Sequence, residues 1–188
     1  MTEAHPILFG KLPTHGDFIA RGLDLAAVGA WDAWISDGLE TARASLGARF
    51  DDEHERTPPW RFVDGPGRFG HGWRAGAMAP SIDAAGRRFM IVVAAEGLTA
   101  REAGGGEAIA EAMEGVIYRA FEGGWDADSV IASAAEPLAW IAEAPATGPA
   151  PMRRWWTLGG PEHGPAMVEG APERVFLAVF AGEAESAR

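Results

Sequence analysis

The chain has 188 residues, 47% of them hydrophobic, with a formal charge of −11 and no cysteine. Phosphate backbones and anionic lipids repel so acidic a chain, which sets nucleic acid aside as a partner and favours a basic protein surface instead. The missing thiols exclude disulfides, zinc–thiolate centres and cysteine nucleophiles. No apolar run reaches the roughly 18 residues a membrane span needs. The first residues carry Glu3 and lack a basic stretch followed by an apolar core. A soluble cytoplasmic protein without membrane insertion is the expectation, with residues 1–188 forming one domain.

In chain order, residues 5–10 read as a strand. It ends in a shaped turn, Phe9-Gly10-Lys11-Leu12-Pro13-Thr14-His15-Gly16-Asp17-Phe18, where two glycines and a proline interrupt polar side chains. Residues 17–20 form a second, short extended piece. Asp24 caps a long helix running to about residue 50, because Val28, Trp31, Ile35, Leu39, Ala42 and Leu46 recur three or four apart. Trp31 and Trp34 reach the same side of it. Gly29, Gly38 and Gly47 each cost up to ~1 kcal/mol in a helix interior, so tertiary packing must hold this helix. The charge run Asp51-Asp52-Glu53-His54-Glu55 lacks the spaced loop and glycine of a calcium site and reads as a solvated helix end.

Residues 60–63 alternate as a strand, and residues 64–67 turn it. Residues 73–78 form a strand of small residues, which implies close packing against a neighbour. Residues 88–94, Arg-Phe-Met-Ile-Val-Val-Ala, form the strongest strand; its unbroken apolar run predicts a central place covered on both faces. Between these two strands, residues 79–87 make a second polar turn. Gly104, Gly105 and Gly106 read as a flexible joint, since no Gly-Lys-Ser/Thr follows them. A helix spans residues 107–121, and Asp126 or Asp128 caps a short one ending near residue 135. Residues 144–151 read as a loop, and 154–157 and 166–168 as short strands. Pro172 opens a last helix over 173–180. The order predicts an α/β (α+β) fold: one mixed or mainly antiparallel sheet flanked by helices.

Candidate chemistry is sparse. Ser81, Asp83 and His15 supply the residue types of a hydrolase, but Ala79-Pro80-Ser81-Ile82-Asp83 is no nucleophile elbow. Ser81 and Asp83 are equally natural turn formers. The five histidines show no helical metal-ligand spacing, so neither metal nor cofactor is expected. The expected polar focus is an ion-pair cluster where the two polar turns meet, drawn from Lys11, Asp17, Arg21, Asp83, Arg87 and Arg88. Of the eight tryptophans, several belong to the core and one or two are left as partner anchors.

A resemblance adds to this reading. Phe9-Gly10-Lys11-Leu12-Pro13 with Gly16-Asp17-Phe18, Trp31-Asp32-x-Trp34, Trp60-Arg61-Phe62, Gly76, Met78, Pro80-Ser81-x-Asp83, Gly86-Arg87, Phe89, Trp155-Trp156-Thr157 and Gly170-x-Pro172 follow one another in order. In this the chain resembles the TagF (ImpM) family of type VI secretion-associated proteins over nearly its whole length. It departs from that pattern at His15, Arg88 and Met90, where Arg or a small residue, an aromatic and Pro are more usual. The resemblance implies a non-enzymatic, post-translational repressor. Such a protein binds a cytoplasmic forkhead-associated scaffold, with any PppA-like phosphatase present as a separate chain. The expected partner-binding surface comprises Lys11, Asp17, Arg21, Ser81, Asp83 and Arg87, with Trp31 or Trp34 beneath or beside it. Two alternatives stay open: a serine hydrolase using the Ser81 turn, and a small-molecule sensor with a pocket between the turns.

Overall fold

The computed structural model describes residues 3–141, 152–160, 163–170 and 175–181. Strands β1 (His5–Gly10) and β2 (Ile19–Arg21) lead into helices α1 (Leu25–Leu46) and α2 (Phe50–Arg56). Strands β3 (Trp60–Asp64), β4 (Trp73–Ile82) and β5 (Arg88–Leu98) follow, then helices α3 (Ala100–Ala103), α4 (Gly106–Gly123) and α5 (Ala127–Ile141). Strands β6 (Arg154–Thr157) and β7 (Ala166–Glu169) and helix α6 (Val175–Ala181) complete the order. The seven strands form one sheet in the order β2-β1-β5-β4-β3-β6-β7. Every neighbouring pair in it is antiparallel.

Helices cover both faces, so the inner strands have no solvent side. On β5, Met90, Val92 and Ala94 join the core beneath α1, while Ile91, Val93 and Ala95 join the core beneath α4 and α5. All six are fully buried. An antiparallel strand can therefore read as an unbroken apolar run when two helical layers enclose it. Ala75, Ala77 and Ala79 on β4 are small for a related reason: α4 lies close on that face of the sheet, and a Cβ on Gly106 would come within 2.6 Å of Val63.

Aromatic packing holds α1 down. Trp31 stacks on Phe69 at 3.8 Å and 5°, and Trp34 meets Trp155 and Phe176. A Cβ at Gly38 would sit 2.3 Å from the Phe176 ring. The helix thus accepts a poor helix former where α6 crosses it, and the ring contact offsets the propensity cost.

Several boundaries differ from those predicted. α1 stops at Leu46 because Gly47 takes a positive φ of 56° and caps it; a 3₁₀ turn, Gly47–Arg49, precedes α2. The charge run lies in α2, where Asp51 and Glu55 pair with Arg88 on β5 and His54 is buried. Gly106 belongs to α4 and packs against the sheet, while the exposed Gly104 and Gly105 link α3 to it. β4 continues to Ile82, shortening the second turn. α5 runs past residue 135 through Pro137. The loop at 144–151 and the Pro172 helix start lie outside the described residues.

His54 ties α2 to the sheet through a 2.8 Å bond from Nε2–H to the Phe89 carbonyl, with Phe180 of α6 stacked beside it. Burial lowers its pKa from 6.5, the Phe89 bond works against that, and Arg88 and Arg43 add to the lowering. The unfolded chain therefore takes up this proton first, and stability falls as pH drops below 6.5 toward the folded-state value. Urea unfolding across that range is expected to show the decline, and His54→Gln to flatten it.

Candidate functional site

The two polar turns meet at one end of the sheet, where β1 and β4 end and β5 begins. Gly10 sets the geometry. Its φ is +122°, and a Cβ there would sit 2.0 Å from the Met90 carbonyl oxygen. Only glycine lets the backbone turn at this point. Lys11 then keeps the ladder for one more step, its N–H donating to Met90 at 3.2 Å, while its side chain turns inward.

The Lys11 ammonium donates to Asp83 Oδ2 at 2.9 Å, both side chains being buried. Asp83 is the hub. Its Oδ2 also accepts from Arg87 Nε at 2.6 Å, and its Oδ1 accepts the backbone N–H groups of Ala85 and Arg87 at 3.0 and 2.9 Å. The Arg87 guanidinium reaches on to the Gly16 carbonyl, and the Ala84 N–H donates to the His15 carbonyl at 2.8 Å. Ser81 Oγ donates to the Lys11 carbonyl at 2.7 Å. Each turn is therefore bonded to itself and to the other.

Burial alone would raise the Asp83 pKa. The bonds from Lys11, from the Arg87 backbone and side chain and from Ala85 outweigh it and hold the carboxyl well below the ordinary carboxylate range. The aspartate is a fixed anion, unsuited to taking up a proton at neutral pH. The Ser81 hydroxyl is already given to a carbonyl, and the His15 ring lies against Thr14 Oγ1 at 3.0 Å. The arrangement is built to hold two loops together.

The expected surface residues divide into three groups. Lys11, Ser81 and Asp83 come together but are buried. Asp17 and Arg87 stand above them, 3.8 Å apart, with side chains 98% and 59% exposed. Arg21 points elsewhere, pairing with Asp128 on α5, and Trp31 and Trp34 lie in the α1 core. Sequence reasoning passed over Phe18 as a site residue. Its ring meets Phe89 edge-on at 4.7 Å and lies 4.9 Å from the Lys11 ammonium, yet it is 53% exposed. An aromatic beside Gly-Asp in a turn was the available signal.

An open cleft of about 1180 Å³ lies at the opposite end of the sheet, lined in part by His5, Asp24, Glu96 and Glu102. It is not between the turns, where the sensor reading placed a pocket. Its carboxylates are largely engaged: Asp24 and Glu102 cap helices, and Glu96 pairs with the buried Arg74. Arg74 also holds Asp64, whose pKa burial raises despite that partner. Among the described residues, no group of three or more His, Cys, Asp or Glu is placed to hold a metal ion. No helix of the described residues is long and apolar enough to cross a membrane.

A family model described as the TagF N-terminal domain, type VI secretion system-associated, matches residues 8–136. That span includes both turns and every residue of the buried cluster. No curated protein matches the chain. Among solved structures, the crystal structure of PA0076 from Pseudomonas aeruginosa PAO1 is similar, with a TM-score of 0.78 and 26% identity over 97% of each chain. The likeness therefore extends past the family match into β6, β7 and α6.

The cluster predicts a non-additive pair. Asp83→Leu strands the Lys11 ammonium and Lys11→Met removes one of the bonds that keep Asp83 charged, so each single variant lowers the denaturation midpoint at neutral pH. The double variant, apolar in both places, is expected to lose less than the sum of the two. Because the Asp83 pKa is depressed, its contribution is present above the ordinary value of 3.8 and is lost as pH falls below it. Asp83→Asn should remove that segment of the acid limb.

Proposed function

We propose that this chain, which belongs to the TagF N-terminal domain family of type VI secretion system-associated proteins, restrains that secretion system by binding a forkhead-associated scaffold protein in the cytoplasm. It acts by occupancy and not by catalysis. A PppA-like phosphatase, as a separate chain, is a further proposed partner of the same system.

The observation that carries this reading is the use to which the polar residues of the two turns are put. The Lys11 ammonium and the Asp83 carboxylate are spent on one another and the Ser81 hydroxyl on the Lys11 backbone carbonyl, below the surface. What they support is a rigid exposed rim carrying Asp17, Phe18 and Arg87. A pre-ordered rim suits recognition, because little conformational freedom is left to lose on binding. Against the serine-hydrolase alternative, the Ser81 hydroxyl hydrogen is already donated to the Lys11 backbone carbonyl.

Capture of the forkhead-associated scaffold by the purified chain, and reduced secretion when the chain is overproduced, are the expected outcomes. Asp17→Ala removes a rim carboxylate that is 98% exposed and lies outside the buried cluster; it is expected to weaken capture by roughly tenfold, with only a small shift in the melting midpoint. Failure of the wild-type chain to bind the scaffold, with both proteins folded, sinks the reading.

A further inference from the structure

The rim differs from the rest of the molecule in charge. The chain carries a formal −11, yet the exposed charges of the two turns are one Asp17 and one Arg87, which face each other at 3.8 Å and cancel. The other exposed side chains of the turns, Pro13, Thr14, Phe18, Ile82, Ala84 and Ala85, are uncharged, and all but Thr14 are apolar. Phe18 and Ile82 are 53% and 40% exposed, and Ala84 and Ala85 are exposed on the second turn. Beside the turns, Arg88 pairs with both Asp51 and Glu55 of α2, which leaves one negative charge in excess there. An acidic protein thus presents, on the two turns themselves, exposed charges that balance.

Phe18 is held rather than loose. The edge-on contact with Phe89 and the Lys11 ammonium over its ring fix the side chain from below. Lys11 is fixed in turn by Asp83. A half-exposed aromatic with its rotamer set in advance is the usual form of a binding anchor, since ordering it on association costs little.

We propose that this rim docks an uncharged, apolar recess on the protein partner, with Phe18 as the side chain that enters it. The inference rests on the partner-binding reading above and specifies its chemistry. It also runs against the expectation, drawn from net charge alone, that a basic patch is the contact. The acidic remainder of the surface then acts at long range or not at all, and the contact itself is insensitive to salt.

The test is calorimetric titration of the full chain into the purified forkhead-associated scaffold, with melting midpoints recorded for every variant. Phe18→Ala is expected to weaken binding at least about tenfold, and Phe18→Leu by less. Ala85→Arg places a charge on the rim at an exposed position and leaves its backbone N–H to Asp83 intact, so it is expected to weaken binding as strongly without unfolding the chain. Raising the salt about tenfold should change the wild-type affinity less than about threefold. Wild-type binding that survives both Phe18→Ala and Ala85→Arg, or that collapses with salt, overturns this inference while leaving the scaffold reading standing. A sedimentation mass of a dimer that Ala85→Arg dissociates gives the rim to a second copy of the chain and overturns it as well. No binding by the wild-type chain overturns both proposals.

Discussion

A buried lysine and a buried aspartate, 2.9 Å apart, hold the two turns in place. Removing two charges from water costs several kcal/mol per ion before any attraction is counted, and a lone pair of this kind seldom recovers it. Here the aspartate is not served by lysine alone. Two backbone N–H groups and a guanidinium complete its shell, so few of its lone pairs are left wanting. The same bonds close the turn between β4 and β5 and bind it to the turn after β1. What an apolar pair would supply in stability it would not supply in direction, because only hydrogen bonds fix the path of both loops.

The sheet makes that junction possible. β1 and β4 flank β5, so the end of β1 and the hairpin between β4 and β5 arrive at the same edge. Helices on both faces bury the strands that bring them there. The near helix, α1, is pressed on by the Trp31–Phe69 stack, and α2 is tied to the start of β5 by His54 and by the Arg88 ion pairs. The cluster therefore stands on a rigid base.

Function follows from which groups are left outside. In a catalytic centre, a nucleophile keeps a free proton path to a base, and a cavity admits the substrate. At these turns Lys11, Ser81 and Asp83 are buried and hydrogen-bonded, and an open cleft lies at the far end of the sheet. The exposed residues of the turns are Phe18, further uncharged side chains and one balanced ion pair. Such a surface is suited to shape-based contact with another protein.

The sequence by itself determined the local pieces and, through the order of its motifs, the family. The apolar run at 88–94 was readable as a doubly covered strand, and the spacing from Val28 to Leu46 as an amphipathic helix, because burial period follows directly from backbone geometry. The meeting of the two polar turns was legible as residue types, since Lys11, Asp83 and Arg87 are complementary ions in loops. The remaining assignments needed the tertiary structure. Trp31 and Trp34 could serve as core or as anchors until Phe69 and Phe176 were seen to enclose them, for a side chain's burial depends on elements far along the chain. Arg21 looked like its neighbours in composition but faces α5, a matter of strand register. Only the fold decided that Lys11 and Asp83 lie beneath the surface and Phe18 upon it, because depth is a property of packing and has no local signature in the chain.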